Sequence, residues 1–299
     1  MKAGSNISII GPGAIGGVTA AWLIQSGRHR VTLCARKSFA ELRVETPNRS
    51  LHSHPTIVDD PARATEADWV LVATKAYDAA GAAAWFTALG KNARVAILQN
   101  GVEHIERFTP FLDASRIVPV VVDIPSERTA PGQVRQRGPG KLTVADDALG
   151  REFAALFAGT DLEVILTPDF RSATWRKLCL NAAGVISALV LQPARIMGDD
   201  AIAQLATGII REGIAVGRAE GAVLDDSLAE TIVQRYRNAP PDSVNSLHAD
   251  RQAKRPTEID ARNGVIVRLG RKHGIATPYN EMAVALLNVM SAKEASSSR

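Results

Sequence analysis

Ile7-Ser8-Ile9-Ile10-Gly11-Pro12-Gly13-Ala14-Ile15-Gly16 sets a short apolar run directly before three glycines spaced G-x-G-x-x-G, and an Ala-rich stretch follows. The run predicts a strand over 7–10 and the Ala-rich stretch a helix, so the glycines fall in the turn between them. Each has a separate use there. Gly11 permits the tight turn, Gly13 lets the backbone approach an anion, and Gly16 lets helix and strand pack closely, while the unbonded N–H groups at the helix start face that anion. Pro12, Ala14 and Ile15 complete the turn. A lone pattern of this kind says little; this one opens a β-α-β unit of about 30 residues, the setting in which it binds the pyrophosphate of a dinucleotide.

The end of the second strand decides which dinucleotide. A site that selects NAD closes this strand with Asp or Glu, which accepts from the ribose 2′-hydroxyl. Here Val31-Thr32-Leu33-Cys34-Ala35 runs into Arg36-Lys37 instead. A guanidinium at that place bonds a 2′-phosphate through two nitrogens and stacks on the adenine. The expected cofactor is therefore NADPH, with Arg36 at its 2′-phosphate.

Working outward, β-rich runs alternate with Ala-rich helical ones up to about residue 168, the pattern of parallel strands covered by helices. Strands are predicted at 7–10, 31–35, 69–74, 95–99, 117–122 and 162–167. Two more, at 133–137 and 142–145, read as a hairpin across Gly138-Pro139-Gly140. The Ala-rich segment 78–85 reads as a sheet-covering helix. After Pro168 the strand-like runs stop. A helix is predicted over 173–191, with Leu178, Ala182, Val185 and Leu189 as its buried stripe and Lys177 and Asn181 on another face. A second helix spans 200–220, with Ile202, Leu205, Ile209 and Val216 inward and Gly221 at its end. A third runs from Pro256 to Gly274 with Ile259, Ile266 and Leu269 inward, residues 238–242 form a turn between helices, and Pro278 opens the last helix. The fold expected is α/β, a doubly wound Rossmann-type N-terminal domain over 1–168 and a second, all-helical C-terminal domain over 169–299.

At 299 residues two domains are the better expectation than one. A hydrophobic fraction of 46% with 22% charged residues describes a globular chain, not a disordered one. The net charge is +4, and its Lys and Arg are interspersed with acids, which speaks against nucleic acid as a partner. No apolar stretch approaches the roughly 20 residues that span a bilayer, and no leader pattern opens the chain, so a cytoplasmic protein without a membrane partner is expected. Cys34 and Cys179, the two cysteines, suit free packing thiols in a reducing compartment. His52-Ser53-His54 lacks a third ligand and reads as a polar loop with no metal. The serine-rich end 296–299 reads as frayed. Apolar helical faces in the second half make a homodimer unsurprising.

At Thr74-Lys75-Ala76, Gln99-Asn100-Gly101, Trp175-Arg176-Lys177-Leu178 and Thr257-Glu258-Ile259-Asp260 the chain resembles the ketopantoate reductase (2-dehydropantoate 2-reductase) family. With the glycines these landmarks span nearly the whole chain. The resemblance implies two domains with a cleft between them and reduction of a 2-oxo acid to a 2-hydroxy acid by NADPH. Hydride arriving at a ketone carbon leaves negative charge on its oxygen, which needs a proton donor in a water-poor site. Lys177 matches the family's catalytic lysine and Glu258 the acid that orients it, near both nicotinamide and substrate. Asn181, one turn after Lys177, matches a substrate residue. Asn100 matches one that meets both nicotinamide and substrate. Lys75 would hold the 2′-phosphate beside Arg36, and Ser246, twelve residues before Glu258, the substrate carboxylate.

The pattern breaks after Asn181. The family continues to a second asparagine one turn on, then Pro; this chain has Gly184-Val185-Ile186-Ser187-Ala188-Leu189, one residue shorter and without that amide. A third substrate asparagine, just after Pro193, is replaced by Ala194. Lost polar partners act on specificity more than on hydride chemistry. The leading expectation is 2-dehydropantoate reduction in pantothenate biosynthesis; a paralogue reducing another branched 2-oxo acid and a non-catalytic NADP(H)-binding protein are the alternatives.

Overall fold

A computed structural model describes residues 4–296. The chain divides into two compact units, one formed by 1–99 with 103–170 and the other by 100–102 with 171–299. Most of the predicted frayed end, 297–299, lies outside the described residues.

The first unit is built on six parallel strands in the spatial order Thr56–Val58, Arg30–Cys34, Asn6–Ile10, Trp69–Val72, Arg94–Ile97, Ile117–Pro119. Counted along the chain this is 3-2-1-4-5-6, so the direction of winding reverses between the first and fourth strands. Alternation fills both faces. Ile7, Ile9, Trp69, Leu71 and Ala96 enter one apolar core, while Ile10, Val70, Val72, Val95 and Ile97 enter another. A sheet buried on both sides is what continuous apolar runs produce.

Two smaller sheets complete this unit and correct the expected strand list. Ser126–Ala130, Gln133–Gln136, Leu42–Glu45 and Ser50–Ser53 form one, in that order; Leu162–Thr167, Gly140–Ala145 and Val121–Asp123 form the other. The predicted hairpin across Gly138-Pro139-Gly140 is thus absent, because its two strands belong to different sheets. The hairpin lies one turn earlier, where Gly132 at φ 72° joins Ser126–Ala130 to its antiparallel partner. The run 117–122 likewise splits between two sheets. His52, expected in a loop, sits on a strand and bonds Ser50 Oγ at 2.9 Å.

The helix Ala14–Gln25 is buried from Gly16 to Leu23. The small four-stranded sheet explains this: Trp22 Nε1 donates to Gln136 at 3.0 Å, and a Cβ on Gly17 would come 2.8 Å from Val134. Cys34 and Cys179 are free and buried, and burial pushes both thiols up to about 12, so they stay protonated and pack.

In the second unit the described residues from 171 on form helices and turns. The predicted helix 173–191 is two, Phe170–Ala183 and Val185–Val190, broken at Gly184; Leu178, Ala182 and Val185 lie in the core as read. Asp200–Ala219 starts on the Asp199 carboxylate, which accepts from Ile202 N at 3.0 Å, and ends before Gly221 at φ 85°. Leu205, expected inward on it, is 39% exposed. The third predicted helix begins later than Pro256: residues 255–258 are non-helical, a π-helical turn covers Asp260–Gly264, and Val265–His273 ends on Gly274 at φ 66°. Pro278 opens the last helix, Pro278–Ser296. The Glu212 carboxylate caps it, accepting from the backbone N–H of Tyr279 at 2.8 Å and of Asn280 at 2.9 Å. No helix among the described residues is long and apolar enough to cross a membrane.

Candidate active site

In the first unit the glycine turn occupies the carboxyl end of Asn6–Ile10, at the reversal point of the sheet. Gly11 has φ 82°, and a Cβ on it would come 2.8 Å from Thr74. A Cβ on Gly16 would lie 2.4 Å from Gly11 O and 3.1 Å from Ala73, so this glycine permits the helix to touch the strand. Gly13 differs. A Cβ there would meet nothing closer than Gly11 O at 4.0 Å, so its surface is open to a ligand. The first intrahelical bond runs from Gly17 N to Gly13 O at 2.8 Å, which leaves the N–H groups of Ala14, Ile15 and Gly16 outside the helical ladder. With no acid in the first turn and no side-chain cap, that end favours an anion.

The side chain of Arg36, shortly after Arg30–Cys34, is 89% exposed, with its guanidinium 3.7 Å from Asp78. That contact is weak at such exposure. Asp78 closes a 3-10 turn that starts at Lys75, Asp78 N donating to Lys75 O at 2.9 Å, so the two predicted phosphate residues reach one locality through it. The half-buried Lys75 is positioned by Gln99, whose amide nitrogen donates to Thr74 Oγ1 at 3.0 Å and to Lys75 O at 3.2 Å.

In the second unit, Asn100, Asn181 and Glu258 form a hydrogen-bonded chain. Asn181 Nδ2 donates to Asn100 Oδ1 at 3.2 Å, and Asn100 Nδ2 donates to Glu258 Oε2 at 3.1 Å. Glu258 is 5% exposed. The helix Phe170–Ala183 sets the half-buried Lys177 one turn before Asn181. Such a set can hold a carboxylate charged, orient an ammonium, and offer amides to an oxygen-rich ligand. Ser246 opens the helix Ser246–Gln252 with an exposed side chain, and no hydrogen bond joins it to this chain among the described residues.

Sequence reading missed Tyr236, Asn245 and Arg262, the side chains that surround Gly184. Val185, where an amide is lost, is wholly buried in the core. Ala194, the other, is buried with its N–H on Ser243 O at 2.9 Å. A Cβ on Gly184 would meet Asn245 Nδ2 and Tyr236 Oη at 2.9 Å and the Arg262 guanidinium at 3.1 Å. Arg262 is 2% exposed. Its placement four residues after Glu258 was the available signal.

A 3-2-1-4-5-6 parallel sheet with a glycine turn at its reversal point, joined to a helical unit holding a buried acid, defines an oxidoreductase with a Rossmann-type fold. The family model described as ketopantoate reductase PanE/ApbA matches residues 7–177, and that of its C-terminal part matches 169–291. The chain is 52% identical over 285 residues to 2-dehydropantoate 2-reductase of Caulobacter vibrioides, covering 95% of this chain and 98% of that one. It is 38% identical over 286 residues to the Mycobacterium tuberculosis enzyme of the same name, covering 95% and 97%. The crystal structure of a PanE/ApbA family ketopantoate reductase from Ralstonia eutropha superposes with a TM-score of 0.89 at 32% identity, over 97% of this chain and 99% of that one. The chain belongs to the ketopantoate reductase family.

Proposed function

We propose that this protein reduces 2-dehydropantoate to pantoate with NADPH. The observation that carries this reading is the Asn181–Asn100–Glu258 hydrogen-bonded chain beside the helix face of Lys177. The cofactor fits the residues present: the open surface at Gly13 and the amides of Ala14, Ile15 and Gly16 suit its pyrophosphate, and Arg36 and Lys75 its 2′-phosphate. Bound NADPH supplies the hydride that the substrate's carbonyl carbon accepts. Lys177, protonated, donates a proton to the carbonyl oxygen as charge develops there. Glu258, charged and buried, orients the Lys177 ammonium; Asn100 and Asn181 hold the acid and present amides to the 2-oxo acid; Ser246 meets its carboxylate.

Val185 and Ala194 favour a second reading, a different branched 2-oxo acid, since neither side chain can bond a substrate hydroxyl. Loss of nicotinamide absorbance with 2-dehydropantoate, compared with other 2-oxo acids, decides between them; no oxidation of NADPH with any of them overturns both. Lys177→Ala is expected to lower kcat by about a hundredfold or more while leaving NADPH binding, followed by fluorescence, nearly unchanged. Lost cofactor binding would instead make Lys177 a structural residue.

A further inference from the structure

The helix carrying Lys177 and Asn181 ends at Gly184, and its last carbonyls need donors from elsewhere. Side chains supply them. Tyr236 Oη donates to Leu180 O at 2.9 Å, Arg262 to Asn181 O, Asn263 Nδ2 to Ala182 O at 3.2 Å, and Asn245 Nδ2 to Gly184 O at 2.9 Å. A phenol or an amide is sufficient for such capping, and three of the four are of that kind. Arg262 is not. Its side chain is buried, its Nε has no hydrogen-bond partner, and it forms no ion pair within 4.0 Å among the described residues. A guanidinium buried in this way is costly, and a neutral donor would cap Asn181 O without that cost.

The groups that face this charge come from three segments: Tyr236 on Leu228–Arg237, Asp250 on Ser246–Gln252, and Glu258. Asp250 is already bound by Arg255 Nε at 3.0 Å. Burial pushes the Tyr236 phenol upward, against the charges of Arg262 and Arg235, so it stays neutral. Glu258 and Asp250 are thus the acids on which the charge of Arg262 acts, and of the two Glu258 is the one that bonds Asn100. Glu258 and Arg262 bracket the start of the π-helical turn Asp260–Gly264, a feature that re-aims side chains and concentrates at functional sites.

We propose that Arg262 is a positioning residue of the reaction: its buried guanidinium keeps Glu258 in the charged form that orients Lys177, and ties the end of the Lys177–Asn181 helix to the segment carrying Glu258. The inference rests on the roles proposed above for Lys177 and Glu258. At the low dielectric of a buried site, a cation near a carboxylate opposes its protonation.

The test is the pH profile of kcat and KM for NADPH-dependent reduction of 2-dehydropantoate by the wild type, R262K and R262Q. Lysine keeps the charge; glutamine can still donate to Asn181 O but carries none. R262Q is expected to lose about tenfold in kcat at neutral pH with KM for the 2-oxo acid nearly unchanged. Its acid limb should move to higher pH, because Glu258 then takes up a proton more readily, and R262K should return the limb to its wild-type position. An acid limb of R262Q coincident with the wild type, or one that R262K moves equally, would reduce Arg262 to a cap and overturn the proposal. If R262Q does not fold, R262M, apolar and of similar length, takes its place with the same expected shift. A wild type inactive on every 2-oxo acid sinks the functional reading and this inference together; an active wild type with unshifted variants sinks this inference alone.

Discussion

Arg36 and Arg262 show opposite limits of what a residue discloses in sequence. The glycine turn indicates where the second strand ends, so position alone is enough to propose a role for an arginine just beyond it. Its 89% exposure is what a phosphate ligand needs, since a solvated guanidinium exchanges water for phosphate at little cost. Arg36→Ala is expected to raise KM for NADPH by about tenfold or more, with kcat little changed and KM for NADH nearly constant; steady-state kinetics with both cofactors checks this, and equal losses with both would remove the 2′-phosphate contact. Arg262 offers only a weaker cue, its place four residues after Glu258. Its burial depends on segments from residues 181, 236 and 245, which composition and spacing do not bring together. Asn100 was legible as an edge residue of the sheet, yet its partners lie 81 and 158 positions away.

The elements that sequence reveals well are those buried on both faces. Five of the six strands of the main sheet lie in apolar runs read from the sequence, and their side chains alternate between two cores; the short edge strand Thr56–Val58 was not read. Leu42–Glu45 and Ser50–Ser53 escaped notice because each is short and carries polar side chains at its exposed or partly exposed positions, which reads as loop. The break at Gly184 escaped because the apolar stripe continues through it, Leu178, Ala182 and Val185 keeping one face. A short helix supplies a pH-dependent test. His104 opens His104–Phe108, is 2% exposed, and bonds Gln99 O through Nε2 at 2.9 Å. Burial lowers its pKa to about 4 from 6.5. The unfolded chain therefore binds a proton that the folded chain refuses as pH falls from 6.5 towards 4, so stability is lost across that window and complete above it, with a slope of at most about 1.4 kcal/mol per pH unit. His104→Gln should flatten this component. Urea midpoints at pH 7 and pH 4.5 measure it, and an equal acid loss in wild type and variant would exclude His104 as a source.

Across the whole molecule, the chain forms two units with separate cores. The residues proposed to hold the cofactor, those of the turn with Arg36 and Lys75, all belong to the first unit, whereas Lys177, Asn181, Glu258 and Arg262 belong to the second. A ligand that binds only the folded form stabilises by about 2.7 kcal/mol at a hundredfold excess over its Kd. NADPH is expected to raise the melting temperature more than an equal concentration of NADH, and the difference to vanish in Arg36→Ala. Differential scanning fluorimetry reads this directly; identical shifts for the two nucleotides would argue that nothing in the first unit senses the 2′-phosphate. At this scale the sequence was most informative, since the change in periodicity near Pro168 separates strand-bearing from helical chain. What it could not show is that Asn100–Val102, shortly after the strand Arg94–Ile97 of the first unit, belongs to the second.

The crowding at Gly184 also bears on how such a chain is able to vary. Any side chain at 184 would press on Asn245, Tyr236 and Arg262, each 2.9–3.1 Å from its first carbon. A side chain gained at 184 is accommodated only where Asn245, Tyr236 and the Arg262 guanidinium all draw back, so what it costs depends on what stands at each of those three positions. Exchanges at 184 and at 262, 78 residues apart, are therefore expected not to add.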